Sequence, residues 1–231
     1  MCKTVSNKNN LQVLYEDNHI IIINKRPGDI VQGDKTGDKP LSEIVKEYIA
    51  EKYNKPGKVY LGVVHRLDRP TSGIVVFART SKALTRLNLL FANKEAKKTY
   101  WAIVKNQPPK NTDTLIHWLK RNPKQNKSYA NKNEVPDSKK AILEYRLIKK
   151  LNRYSLLEID LHTGRHHQIR SQLSSIGSVI KGDLKYGADR GNKNGSIHLH
   201  ARKLTFVHPV KKEPLYITAP TPSDPVWDAC N

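Results

Sequence analysis

The chain has 231 residues, with 41 Lys+Arg against 21 Asp+Glu and a formal net charge of +20, a length that supports one large domain or two small ones around a sizeable core. Its 37% of hydrophobic residues is gathered into blocks such as HIIIIN, GIVVF and SLLEIDL, which excludes disorder of the whole chain, and no apolar run nears the roughly 18 residues of a membrane span. An isoelectric point near 9.9 points to nucleic acid or an anionic membrane as partner, although a Lys/Asn-rich chain also fits a merely solvated surface. No basic amphipathic helix with a free apolar face is visible for the membrane option.

The opening MCKTVSNKNN has no apolar segment after its charges. Neither a secretory signal nor an amphipathic presequence is read there, so residues 1–10 are expected to be flexible and the expected compartment is the cytoplasm. Cys2 and Cys230 have no metal or redox motif around them and are assigned no role.

The apolar run His19–Asn24 reads as a buried strand ended by a turn at Pro27-Gly28. LSEIVKEYIAEKY then places Leu41, Ile44, Val45, Tyr48 and Ile49 on one face at helical spacing, with Pro40 at the start. GIVVFART, residues 73–80, is a second strand. SKALTRLNLLFANKE follows as a helix with Ser81 as N-cap and a stripe of Leu84, Leu87 and Phe91. A third strand covers Thr99–Val104. Between Lys94 and Arg153 there are 16 Lys+Arg against 5 Asp+Glu, and residues 121–140, poor in apolar side chains, read as a mobile basic loop. AILEYRLIKK and RYSLLEIDLH alternate around Leu151-Asn152 as an antiparallel hairpin, and IHLHARKLTFVHP pairs with PLYITAP. His167–Ser175 reads as a short helix with Ile169, Leu173 and Ile176 inward and Gly177 as its stop. With no repeat and no linker, residues 11–231 read as a single α+β domain with a mainly antiparallel mixed sheet and flanking helices.

Two constellations carry chemistry. In VVHRLDRPTSG, His65, Arg66, Asp68 and Arg69 crowd into a loop before a buried strand. A carboxylate held among cations is ionised and suits a nucleophile or an electrostatic stabiliser; it equally suits a loop cap paired with Arg69 or Arg66. In LHTGRHHQIRSQLSSIG, Gly164 and the helix start offer backbone donors while Arg165 and Arg170 add charge, which suits an anion. His162, His166, His167, His198, His200 and His208 lack the spacing of a helix-borne zinc motif, and no metal is expected. Tyr100, behind a run of lysines, suits either strand packing or stacking on a base.

HRLDRPTSG resembles the catalytic loop of the RluA family of pseudouridine synthases. NKRPG, KKTYWAIV and TGRHHQIRSQLSSIG…IKGDLKYG with HLHARKLTFVHP occur in that family's order, from about Leu11 to Pro220. The resemblance implies the family's catalytic domain with a central active-site cleft, in the form of its short members without an N-terminal RNA-binding domain. It implies an isomerase that converts a uridine of structured RNA, ribosomal or transfer, to pseudouridine. Asp68 matches the essential aspartate, which attacks the ribose anomeric carbon or abstracts the neighbouring ribose proton. Tyr100 matches the tyrosine stacked on the base, Arg170 the arginine paired with the aspartate, Arg66 the arginine that fills the gap left by the flipped nucleotide, and Ile169 an apolar wall of the pocket. His65, Arg69 and Arg165 join these as substrate-binding candidates. The sequence departs from the family at Arg26, Gln172 and Val179, where it often has Pro, His and Pro; these positions bear on RNA choice or loop shape. No cofactor, no obligate protein partner and a monomer are expected, with the lysine-rich field over residues 94–153 setting affinity. The alternative is a non-catalytic RNA-binding or ribosome-assembly protein on the same fold, and a more distant one is a DNA- or membrane-surface protein recruited by charge.

Overall fold

The structure, a computed structural model, describes residues 5–230; Cys2 lies outside the described residues. In chain order the elements are β1 (Val13–Glu16), β2 (Ile20–Lys25), α1 (Leu41–Lys52), β3 (Gly62–Val63), β4 (Ser72–Ala78), α2 (Ser81–Ala92), β5 (Lys97–Val104), β6 (Thr112–Asn122), β7 (Lys127–Asn131), β8 (Ser138–Lys150), β9 (Ser155–Leu161), α3 (Gln168–Ser175), a 3-10 turn (Leu184–Tyr186), β10 (Leu199–Val207), β11 (Pro214–Thr218) and α4 (Pro225–Asp228). The fold class is α+β with mainly antiparallel pairing. Two compact units form, one from residues 1–97 and 201–222, the other from 98–200 and 223–231; of the three boundaries, those at 97/98 and 200/201 fall inside β5 and β10, and the third lies between β11 and α4. Among the described residues no helix is long and apolar enough to cross a membrane.

In the first unit, the isoleucines of HIIIIN form β2, buried along its whole length and antiparallel to β4 from Ile20↔Ala78 to Lys25↔Gly73. Strands buried on both faces are written as continuous apolar runs. Alternate residues Ile21, Ile23, Val75 and Phe77 meet Leu41, Val45 and Ile49 of α1 in one cluster. Pro40 precedes α1 in an extended conformation, at the cap itself. The cap of α2 is Thr80, whose side chain accepts from Ala83 N, rather than Ser81; two hydroxyl residues stand side by side and the chain direction decides between them. Its buried line is Ala83, Leu87 and Leu90, with Leu84 and Phe91 half-buried. Asp29, fully buried, accepts from Val5 N, Ser6 N and Ser6 Oγ, which ties residues 5 and 6 to the unit.

In the second unit, β5, β9, β8, β6 and β7 lie in that order, all antiparallel. The expected hairpin around Leu151-Asn152 is present as β8 and β9. Residues 121–140 are corrected from a loop to the end of β6, strand β7 and the start of β8. The one buried residue of β7 is polar: Ser128, whose N–H and carbonyl are both served by the hydroxyl of Tyr186. A strand satisfied through a partner 58 residues away leaves no apolar alternation to read. Helix α3 lies beside this sheet. Its Gln172, fully buried, donates through Nε2 to Leu115 O and His117 Nδ1. Burial first, and then Lys132, lowers the His117 pKa, so the ring stays neutral and its Nδ1 can accept. Gln172 therefore fastens α3 to β6 rather than facing outward to choose RNA. Cys230 packs with Ile103, Leu156 and Trp227 in a small core, and burial raises its thiol pKa, as suits a packing group.

Candidate active site

In the first unit Asp68 sits in the loop between β3 and β4, closed by a turn in which Thr71 N donates to Asp68 O at 3.0 Å. Two donors converge on the next carbonyl, Arg69 O: Gly28 N at 2.9 Å and Lys25 Nζ at 3.1 Å. Lys25 is 1% exposed and also donates to Arg26 O and Asp29 O. A buried ammonium is tolerated when its donors are satisfied, and here they lock the loop's backbone to the NKRPG turn. Beyond the loop Gly73, at φ 111°, lies so close to β10 that a Cβ would come within 2.4 Å of Ala201 O. Only glycine permits both that approach and that conformation. Asp68 is thus carried, half-buried, on a backbone fixed at both ends.

The other candidates of this loop diverge. His65 turns toward β4, its Nε2 accepting from Val76 N at 3.1 Å and its ring stacked on Phe91 with centroids 5.0 Å apart. Arg69 reaches Asp38 through Nη2 and Thr36 Oγ1 through Nη1. Arg66 is exposed and makes no ion pair among the described residues.

The second unit carries Tyr100, Arg165, Ile169 and Arg170. Tyr100 is 8% exposed on β5, opposite Ile159 of β9. Lys98, two residues earlier, has its ammonium beside Gly164, where an added Cβ would meet Nζ at 3.6 Å; burial pushes its pKa below the usual lysine value. Ile169 and Arg170 are buried on α3. The start of α3 is tied down by Gln168, whose Oε1 accepts from Thr163 Oγ1 and Arg165 N while its Nε2 donates to Ile142 O. The Arg165 side chain is exposed, with Nε donating to Lys140 O.

Arg170 forms a bidentate pair with Asp183: Nε to Oδ2 at 2.7 Å and Nη2 to Oδ1 at 2.8 Å, with the side chains 5% and 1% exposed. Its guanidinium carbon also lies 5.1 Å from the Tyr186 ring centroid. The planar fork of arginine matches a carboxylate edge in this way, which lysine cannot do. Asp183 follows Gly182, whose φ of 86° and 2.8 Å approach to Ser196 O leave no space for a side chain. The expected anion site at the α3 start is not free to form as read, because Gln168 already takes the Arg165 N–H and Asp183 engages the Arg170 fork.

The sequence reading missed Asp183 and Tyr186. Both lie in IKGDLKYG, where a carboxylate and a tyrosine between two glycines were the available signal. Tyr186 is buried and joins His167 Nδ1 to the Ser128 backbone. His198 is held between Asp224 and Asn192 and stacks on Trp227, as a structural histidine.

A sequence profile described as RNA pseudouridylate synthase matches residues 19–175, which include Asp68, Tyr100 and Arg170. An RNA pseudouridine synthase of Chlorobaculum parvum whose role is uncharacterised is 34% identical over 236 residues, spanning 93% of this chain and 72% of the relative. A protein of Xanthomonas campestris named ribosomal large subunit pseudouridine synthase D is 33% identical over 93% of this chain and 67% of its own length. Among solved structures, human RNA pseudouridylate synthase domain containing 4 superposes with a TM-score of 0.77 at 22% identity, over 95% of this chain and 92% of that one. The human protein of the same series numbered 1 gives 0.74 at 21%, over 98% and 89%. At those identities the two human structures establish the fold.

Proposed function

The chain belongs to the RluA-type RNA pseudouridylate synthases, and from that premise we propose that it isomerises a specific uridine in structured RNA, ribosomal or transfer, with Asp68 as the residue that opens the reaction. One observation carries this reading: HRLDRPTSG, with Asp68 within it, lies inside the stretch that the family profile matches, on a loop that Lys25 and Gly28 fix.

A base stacked in a helix cannot be turned over in place. The nucleotide is flipped out at a cost of about a few kcal/mol, offset by stacking and phosphate contacts. Asp68 then attacks the anomeric carbon or removes the neighbouring ribose proton, and the bond from N1 to the sugar breaks. The freed uracil turns and its carbon 5 joins the anomeric carbon, displacing the Asp68 oxygen in the first case or with Asp68 returning the ribose proton in the second; carbon 5 then loses its proton and N1 gains one. Arg170 keeps the aspartate ionised and aimed, and Tyr100 stacks on the base and takes the carbon 5 proton. Arg66, exposed and without an ion pair among the described residues, suits the gap left in the RNA. Ile169 walls the pocket, while Arg165 and Arg69 meet phosphates. His65, engaged with Val76 N and Phe91, acts by holding the loop. Atoms and electrons balance without an acceptor or a phosphate donor, so no cofactor is proposed. We place the protein in the cytoplasm as a monomer without an obligate protein partner.

The direct test incubates the protein with transcribed ribosomal and transfer RNAs and maps pseudouridine, alongside the RNA of a strain lacking the gene. The expected result is one or a few uridines modified by the protein and unmodified in that strain. RNA binding without product, and no position lost on deletion, would instead establish the non-catalytic alternative. Within this scheme Tyr100→Phe retains the ring and RNA affinity but loses the proton acceptor. The single-turnover rate should fall about 100-fold, in the range of general-base contributions; a full rate would remove the hydroxyl from the mechanism and leave Tyr100 with stacking alone.

A further inference from the structure

Resting on that RNA-directed reading, we propose that the outward face of the β6, β7 and β8 meander is a stacking platform for an unpaired stretch of RNA. Trp118 and Tyr129 supply the rings, and Lys120 and Lys140 meet the phosphates.

The alternation of β6 builds this face. Leu115, His117 and Leu119 point inward at 6, 9 and 5% exposure, so Ile116, Trp118 and Lys120 must point outward. Across the strands, Lys120 stands opposite Tyr129, Trp118 is flanked by Asn131 and Lys140, and Ile116 faces Ile142. Rings and ammonium groups therefore alternate on one surface, with Trp118 and Tyr129 as diagonal neighbours some 7–8 Å apart in backbone spacing. Ile116 is 51% and Tyr129 43% exposed, which is costly apolar surface for a face with no partner.

Charge selects the occupant. Among the described residues neither Lys120 nor Lys140 has an ion pair, whereas the carboxylates further along the same sheet are engaged, Glu144 with His162 and Glu158 with Arg146. Aromatic faces interleaved with unneutralised lysines match bases interleaved with phosphates. A partner that adds a strand is disfavoured, because the outer edge of β7 is occupied: the Tyr186 hydroxyl bonds both Ser128 N and Ser128 O. The platform is also rigid before binding. Ser128 and Asn126 are held by the two ring nitrogens of His166, Lys185 Nζ donates to Gln125 O, and the Tyr129 hydroxyl is fixed by Gln125. Little ordering cost then remains to be met on binding.

The test uses oligouridylate of about ten nucleotides, with heparin as a polyanion that has no bases. Trp118→Thr combined with Tyr129→Thr removes both rings and keeps β-branched strand formers on an outward face. Oligouridylate affinity should fall about 100-fold, roughly tenfold per ring, while heparin affinity stays within about twofold. Trp118→Phe with Tyr129→Phe should keep most of the affinity, which separates loss of stacking from loss of folding. Lys120→Gln with Lys140→Gln should weaken both ligands and lower the salt slope for oligouridylate by about 1.4, the value for two phosphate contacts on a single strand. Oligouridylate binding unchanged in the threonine variant would overturn the platform. Ring-dependent binding of polyglutamate with oligouridylate unaffected would overturn it too and assign the face to an acidic protein. Ring-dependent oligouridylate binding by a protein that forms no pseudouridine would sustain the platform and refute only the proposed catalysis.

Discussion

Asp68→Asn should bind its RNA with nearly wild-type affinity and form no measurable pseudouridine, a loss of at least about 1,000-fold in single-turnover rate. Asparagine keeps the shape of the side chain but can neither attack a carbon nor take a ribose proton, so the first step has no agent. The fold gives a reason to expect a clean result. Two carbonyls of the loop are held, Asp68 O by Thr71 N and Arg69 O by Gly28 N and Lys25 Nζ, and an Asp68→Asn exchange alters neither the backbone nor these donors. An unfolding midpoint close to wild type, together with unimpaired RNA binding, would show that chemistry alone was removed. Turnover retained in this variant, or in Asp68→Ala, would end the case for Asp68 as the initiating residue.

What the sequence could and could not disclose follows from where each residue finds its partners. β2, α1 and the β8–β9 hairpin were legible because their patterns are local: a continuous isoleucine run, a helical stripe behind Pro40, and two alternating segments around a short turn. Strand β7 has the composition of a loop because its buried residue is a serine satisfied by Tyr186 from across the unit. Strand β6 was hidden for a related reason, since His117 occupies an inward position in the midst of its apolar alternation. For the site, the motif blocks point to Asp68, Tyr100 and Arg170 as candidates, but no spacing rule connects Arg170 to Asp183 thirteen residues later. That connection needs the 3-10 turn and the glycine at 182, and both belong to the folded chain.

Arg170 and Asp183 invite the second large effect, and one that must be separated from folding. Arg170→Ala would leave Asp183, 1% exposed, as a buried charge without its counter-ion. Breaking such a pair costs about 3–5 kcal/mol, or roughly 10 °C in unfolding midpoint for a chain of this size. Pseudouridine formation should disappear as well, but that single variant cannot say why. Replacing both members with apolar residues, Arg170→Met with Asp183→Leu, removes the buried charge altogether, and exchanges of this kind are often neutral or stabilising. The double variant should therefore recover most of the lost midpoint while remaining inactive if, as proposed, the Arg170 guanidinium is what keeps Asp68 ionised and aimed. Arg170→Lys provides the intermediate case: the charge survives but the fork does not, so stability should suffer less than in Arg170→Ala while the rate still falls. A stable, active double variant would reduce Arg170 to a structural partner of Asp183 and require another group to orient Asp68.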